Sequence, residues 1–214
     1  APLVHGQRVF VGSSDGRLYA LSLDDGAELW RYATGDKILG GANWTPSPEG
    51  DAVRILVGSY DSHLHCVDAA TGAKVWTYAT DSFVNGTPAV AQGMAVFGGC
   101  DAGLHLVDVA NGARIRKIDL GSYVAGSAAV AGGHAYVGHM GGEFLCVDTD
   151  AGEVAWRYGE KDLAFYASAA VGGDRLVFGG RDKRVHCVRR ADGKRLWTFR
   201  TGGQVDASPV ICGD

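Results

Sequence analysis

Apolar residues in this chain fall in short runs, each closed by a turn rich in Gly, Asp or Ser. Residues 54–78 show the pattern. Arg54-Ile55-Leu56-Val57-Gly58-Ser59 reads as a buried strand, Tyr60-Asp61-Ser62 as a turn, and Leu64-His65-Cys66-Val67-Asp68 as a second apolar strand. Ala69-Ala70-Thr71-Gly72 is a tight turn, with Gly72 suited to a positive φ. Ala73-Lys74-Val75-Trp76-Thr77-Tyr78 then alternates polar and apolar positions, as a half-buried outer strand does. Thr87-Pro88-Ala89-Val90 opens the next unit.

The same phrase is written five times. Gly26, Gly72, Gly112, Gly152 and Gly193 mark one position, at steps of 46, 40, 40 and 41 residues. Trp30, Trp76, Trp156 and Trp197 follow four residues later, and Arg116 takes that place in the third copy. A second series, Gly12, Gly58, Gly98, Gly138 and Gly179, keeps the same steps. Two markers in one register establish a repeat, and an all-β repeat of about 40 residues is a propeller blade. Four short strands cannot bury both faces of a lone sheet. Set radially, each sheet covers its neighbour. The expected units are 1–40, 41–83, 84–123, 124–164 and 165–204, with one extra opening strand at 205–214. The first long step carries about six added residues, placed in a loop around Trp44-Thr45-Pro46-Ser47-Pro48-Glu49-Gly50-Asp51-Ala52.

Each indole offers a flat apolar face and one N–H donor. Trp30, Trp76, Trp156 and Trp197 are therefore expected to dock between blades and to bond a backbone carbonyl. Arg116 is expected to leave a weaker or rearranged joint beside the third blade.

Ala20-x-x-x-x-Asp25-Gly26-x-x-x-Trp30 and Asp68-x-x-Thr71-Gly72-x-x-x-Trp76 resemble the tryptophan-docking motif of the pyrroloquinoline-quinone-type β-propeller repeat family. The resemblance runs through the whole chain and includes the Ser/Thr-Pro-Ala-Val opening strand. The departures are Ser22 and Arg189 at the Asp position and Arg116 at the Trp position. The resemblance implies seven or eight blades in a full circle, so five repeats imply an incomplete arc. Its open blade faces would invite self-association. Both chain ends fall inside the repeat motif, which reads as a cut from a longer array.

The family implies two kinds of function. Quinoprotein dehydrogenases hold the quinone and calcium with an Asp base, Glu and Asn ligands and, in many members, a vicinal cysteine pair. No adjacent cysteines occur here, and no catalytic, cofactor or metal residues can be assembled. Other members are non-catalytic scaffolds, such as the lipoprotein of the outer-membrane barrel-assembly machinery. The scaffold reading is preferred, with a protein partner and a periplasmic or extracellular setting implied by the family. A dehydrogenase fragment, or a sensor domain attached to a catalytic domain outside this chain, are the alternatives.

Composition narrows the partners. Twenty basic residues against 24 acidic ones show no basic stripe, which argues against nucleic acid. No apolar run is long enough for a membrane-spanning helix. The five cysteines read as buried free thiols, since Cys66, Cys146 and Cys187 share a slot that Ala20 and Leu106 also fill. His65, His105 and His186 recur one per blade, and Asp15, Asp61, Asp101 and Asp182 recur in the second turn. Both sets read as framework, with the aspartates bonding turn backbone. Binding is expected where the copies differ, in the loops before each opening strand. Asn43, Asn85, Tyr166 and Asp206 stand there, with Phe83, Tyr123 and Gln204 two positions earlier, Phe165 beside Tyr166 and Trp44 in the inserted loop. Aromatic and polar groups on one face suit a partner or ligand.

Overall fold

The computed structural model describes residues 1–159 and 164–212. Among them every regular element is a strand. The first sheet holds β1 (Leu3–His5), β2 (Arg8–Gly12), β3 (Arg17–Ser22) and β4 (Glu28–Ala33). The second holds β5 (Asn43–Pro46), β6 (Val53–Gly58), β7 (His63–Asp68) and β8 (Lys74–Ala79). The third holds β9 (Ala89–Ala91), β10 (Met94–Gly98), β11 (Gly103–Asp108) and β12 (Arg114–Asp119). The fourth holds β13 (Ala129–Ala131), β14 (His134–Gly138), β15 (Phe144–Asp148) and β16 (Glu153–Tyr158). The fifth holds β17 (Ala170–Gly172), β18 (Arg175–Gly180), β19 (Arg184–Arg189) and β20 (Arg195–Arg200). Each sheet is an antiparallel meander in chain order. Together they are five blades of a propeller arc.

The core lies between sheets, not within one. Phe10, Leu18 and Ala20 of blade 1 meet Ile55, Val57 and Val67 of blade 2, and three equivalent clusters fill the other joints. Hydrogen bonds close the joints at the outer rim and, from blade 2 onward, at the inner rim as well. At the outer rim Trp30 Nε1 donates to the Ala69 carbonyl (3.2 Å), Trp76 Nε1 to Val109 (3.2 Å) and Trp156 Nε1 to Arg190 (3.0 Å). At the inner rim the opening segments are strung hydroxyl to amide. Gly41 N donates to Thr87 Oγ1 (2.8 Å), Thr87 N to Ser127 Oγ (2.8 Å), Ser127 N to Ser168 Oγ (3.1 Å) and Ser168 N to Ser208 Oγ (3.0 Å). The Ser/Thr of the opening motif is thus a blade-to-blade tie.

The docking ring lies flat on the turn glycine of the next blade. A Cβ on Gly112 would sit 2.7 Å from the Trp76 ring, and φ there is 74°. Backbone conformation and ring packing both demand glycine. A bulge aims the ring. Cys66 pairs with Trp76 while Val67 pairs with Lys74, so Val75 is an extra, exposed residue. The same irregularity recurs in every outer strand, with Leu29, Ile115, Ala155 and Leu196 as the extra residues. It also blunts the exposed sheet edge.

Arg116 rearranges its joint as expected, and keeps the hydrogen bonds. Its guanidinium donates to the carbonyls of Ala151 (3.0 Å) and Asp150 (3.1 Å), where a tryptophan would reach one carbonyl. At the two open ends the joint has one half only. Trp197 is 44% exposed, and nothing lies within 4 Å of a Cβ built on Gly26.

Three sequence expectations need correction. Residues 205–212 form no strand, because no following strand offers a ladder; Ser208 keeps only its tie to Ser168. The last two residues of that expected strand, and residues 160–163 of the fourth unit, lie outside the described residues. Trp44 stands on β5, and the added loop is confined to 47–52. The cysteines are all free, but only Cys66, Cys146 and Cys187 are buried. Cys100 is half-buried and Cys212 is exposed, since neither occupies the shared apolar slot.

Trp76 is 8% exposed, whereas Lys74 on the same strand is exposed. Trp76→Ala should destabilise by about 3–5 kcal/mol, and Lys74→Ala by a few tenths at most. Denaturant titration of both variants checks this; equal midpoint shifts would contradict docking as the clasp.

Candidate functional site

The loops that precede the opening segments bond the turns that follow each second strand. Each is anchored by an apolar residue pressed onto a glycine of the second series: Ile38 on Gly12, Val84 on Gly58, Val124 on Gly98, Phe165 on Gly138 and Val205 on Gly179. These contacts set the true register of the loops. Leu39, Asn85, Ala125, Tyr166 and Asp206 are equivalent, and so are Lys37, Phe83, Tyr123, Ala164 and Gln204. Asn43 lies on the opening strand β5 itself, and Leu39 holds in the first copy the place that Asn85 holds in the second.

The candidate residues therefore separate into three places. Phe83 (43% exposed), Tyr123 (55%), Asn85, Tyr166, Gln204 and Asp206 stand around the mouth. Phe165 does not: it is 2% exposed and packs edge-on against Phe144 and Phe178. Its side chain takes the slot of Val84 and Val124, so it belongs to the core. Asn43 and Trp44 also lie elsewhere. Asn43 Nδ2 donates to the Pro88 carbonyl (3.0 Å) and Trp44 rests against His5, with ring centroids 4.3 Å apart.

The structure adds residues to the mouth from the turn after each second strand. Tyr60 stacks on Phe83 at 4.7 Å, and Lys37 lies 4.4 Å above the Tyr60 ring. Backbone bonds lock the two sets of loops together: Tyr60 N to the Lys37 carbonyl (3.0 Å), Cys100 N to Phe83 (2.9 Å) and Met140 N to Tyr123 (2.9 Å). Leu39 (54% exposed) and Met140 (44%) complete an apolar arc over blades 1 to 4. At blade 5 the character changes. Arg181 stacks on Tyr166 at 3.7 Å and grips Asp206 with two hydrogen bonds of 3.0 and 2.9 Å. Tyr60, Met140 and Arg181 lie on the turn after the second strand, outside the loops in which binding is expected from the sequence. The signal was present: the turn position occupied by Ser14, Tyr60, Cys100, Met140 and Arg181 also fails to repeat.

This donor set does not fit a calcium–quinone pair. Asp206, the acidic member of the set, is already held by two hydrogen bonds from Arg181. Among the described residues no group of three His, Cys, Asp or Glu side chains is placed to hold a metal ion.

The recurring histidines serve the joints. Tyr78 bonds His105 Nδ1 (3.1 Å), and His105 Nε2 lies 3.0 Å from Asp101 Oδ2. Tyr32–His65–Asp61 and Tyr158–His186–Asp182 repeat the relay in two other joints. A neutral imidazole satisfies both contacts, donating from Nε2 to the carboxylate and accepting the phenol proton at Nδ1. The aspartates also bond turn backbone, as Gly103 N to Asp101 Oδ1 (3.2 Å) shows. In the fourth blade Leu145 takes the histidine slot and faces Ile118 across the joint. Burial drives the His105 imidazole below the usual histidine range, against the pull of Asp101. Burial would raise the Asp101 carboxyl, but hydrogen bonds from Lys117 and His105 outweigh it and hold the group at about 2.

Comparison with known proteins follows from this geometry. The family model described as outer membrane protein assembly factor BamB matches residues 1–48, 37–115, 100–163 and 159–214. No curated protein matches the chain by sequence. Among solved structures, BamB from Moraxella catarrhalis superposes with a TM-score of 0.80 at 22% identity, over 98% of this chain and 63% of that one. The computationally designed Ika8 protein gives 0.82 at 16% identity, over 97% of this chain and 63% of that one. The likeness to these structures is one of fold. The chain spans less than two thirds of either.

The depressed histidines set an acid limit on stability. Below pH 6.5 the unfolded chain takes up protons that the folded His105 and His65 refuse. Stability should therefore be flat between pH 7 and 8 and fall as pH drops from 6.5, with a second loss from 3.8 towards about 2 as Asp101 protonates. His105→Gln should lower stability at pH 7 and flatten the first of these slopes. Thermal midpoints between pH 4.5 and 8 decide it; an unchanged slope in the variant would remove His105 from the account.

Proposed function

This chain belongs to the family of the outer membrane protein assembly factor BamB, and we propose that it serves as a non-catalytic scaffold docking a protein partner at the channel mouth. The observation that carries the reading is the exposed arc of Leu39, Phe83, Tyr123 and Met140. These side chains sit on loops tied to one another by backbone bonds, so little ordering is required on binding. Aromatic and methionine side chains over a rigid frame are the composition of a protein interface core. Arg181 and Asp206 at the blade 5 end provide a polar rim.

By the same family relation we place the protein on the periplasmic side of a bacterial outer membrane, as an accessory of outer-membrane protein assembly. Free cysteines argue mildly against an oxidising compartment, but the buried Cys66 and Cys146 can survive there as thiols. Burial pushes Cys66 up to about 12 and Cys146 up to about 11, so neither offers an appreciable thiolate at neutral pH.

A photo-crosslinking residue at position 123 should yield an adduct with a component of the outer-membrane assembly machinery, and one at position 75 on the outer rim should not. The triple variant Phe83→Ala, Tyr123→Ala, Met140→Ala should lose the interaction at least tenfold, because each truncated anchor removes about 1–2 kcal/mol. Its unfolding midpoint should move little, since the three side chains are exposed. Equal adducts from positions 75 and 123, or undiminished binding by the triple variant, would refute docking at the mouth.

A further inference from the structure

Charge is unevenly shared among the blades. Residues 165–204 carry nine Lys and Arg against three Asp and Glu, while the remainder carries eleven against 21. One blade of a chain with net charge −4 is thus strongly positive. The sheet register places part of that charge at an energetic disadvantage. Arg184 on β19 stands directly opposite Arg200 on β20. Like charges facing one another across an antiparallel pair destabilise it. The equivalent pairs in blades 1 to 3 avoid this: Arg17 faces Ala33, His63 faces Ala79 and Gly103 faces Asp119.

A second arginine pair in the same blade is neutralised, and the first is not. Arg175 and Arg189 also face each other, but Asp174 lies 3.3 Å from Arg175 and Asp192 lies 3.1 Å from Arg189. Among the described residues Arg184 has only Asp182, at 4.0 Å, and that carboxylate already holds His186 at 3.1 Å. Neither Arg200 nor Arg195 forms an ion pair among the described residues.

These side chains border a groove of about 350 Å³ between blades 4 and 5, lined by Arg157, Arg184, Arg195, His186 and the exposed Thr198. Strand alternation puts Arg200 on the same face as Thr198, at the end of that groove, while Trp197 and Phe199 point the other way. Arg184, Arg195 and Thr198 thus border one groove with Arg200 at its end; Arg157, also on the groove, is held by Glu143 at 2.9 Å, and among the described residues Asp182 is the one carboxylate paired with the others.

We propose that this groove binds a phosphate group, with Arg184 and Arg200 as a paired clamp and Arg195 and Thr198 as further donors. Guanidinium pairs suit a phosphate because each fork can match two oxygens, and the shared anion removes the repulsion that the register imposes. The phosphate comes either from an anionic lipid headgroup or from a soluble phosphate compound. The site is separate from the channel mouth and does not depend on that assignment.

The test titrates inorganic phosphate into the 214-residue protein at constant ionic strength, with chloride as the control anion. Binding should saturate and raise the unfolding midpoint. Arg184→Gln and Arg200→Gln should each weaken phosphate binding roughly tenfold, the loss expected for one charge-assisted contact. Without phosphate both variants should be at least as stable as the parent, because the like-charge pair is gone. Arg184→Lys keeps the charge and loses the fork, and should fall between. Co-sedimentation with phosphatidylglycerol vesicles but not phosphatidylcholine vesicles, competed by phosphate, assigns the headgroup. Phosphate binding without co-sedimentation assigns a soluble compound. An absent or chloride-like response, or full binding by Arg184→Gln and Arg200→Gln, would overturn the proposal. Binding of poly-glutamate that phosphate does not compete would also overturn it, in favour of an acidic protein segment.

Discussion

The blade-to-blade joint is the contact on which everything else in this molecule rests. A four-stranded sheet of these residues has no interior of its own; its apolar side chains become a core only when a neighbour covers them. The joints from blade 2 to blade 5 are each clasped at three radii, and the joint of blades 1 and 2 at the outer two. A serine or threonine hydroxyl ties the opening segments at the channel, Tyr–His–Asp relays or an apolar contact brace the middle, and an indole or guanidinium closes the rim. The rim clasp is the most exacting, because the ring needs a neighbour with no Cβ in a left-handed turn. The bulge before the tryptophan supplies the aim. Arg116 shows that the demand is for a flat group with an N–H donor, which a guanidinium also meets.

A frame built this way separates stability from recognition. Framework side chains point into joints, where any change meets a packed neighbour. The loop positions at the mouth touch only one another and solvent, so they are free to differ from blade to blade. The result is an apolar arc over four blades and a charged clamp at the fifth, carried on turns whose backbone is already paired. The same freedom lets blade 5 concentrate basic side chains on its outer strands without disturbing its core, where Cys187 and Val188 remain fully buried.

Particular residues show how far the chain could be read by eye. Trp76, Gly72, Asp101 and His105 were placed correctly because each repeats, and a repeated residue has a repeated environment. Tyr123 and Asp206 stand where repetition fails, and both are exposed. Phe165 was misjudged for an instructive reason: it too departs from the valine of the other copies, yet its difference is absorbed by Gly138 and the rings of Phe144 and Phe178. Variation marks a free surface only when the position faces solvent. Asn43 and Trp44 were misplaced because an insertion shifts every count taken across it, and only the contact of Ile38 with Gly12 restores the alignment.

What the residues alone determined was the periodic part of this protein: blade length, strand order, turn glycines and docking tryptophans. Periodic constraints are local, and each is written again about 40 residues on. What only the tertiary structure decided was which non-repeating side chains meet. Tyr60 reaches Phe83, Arg181 reaches Tyr166 and Asp206, and Arg184 is set opposite Arg200. Those meetings depend on register across a joint or a ladder, where a shift of one residue turns a side chain to the other face.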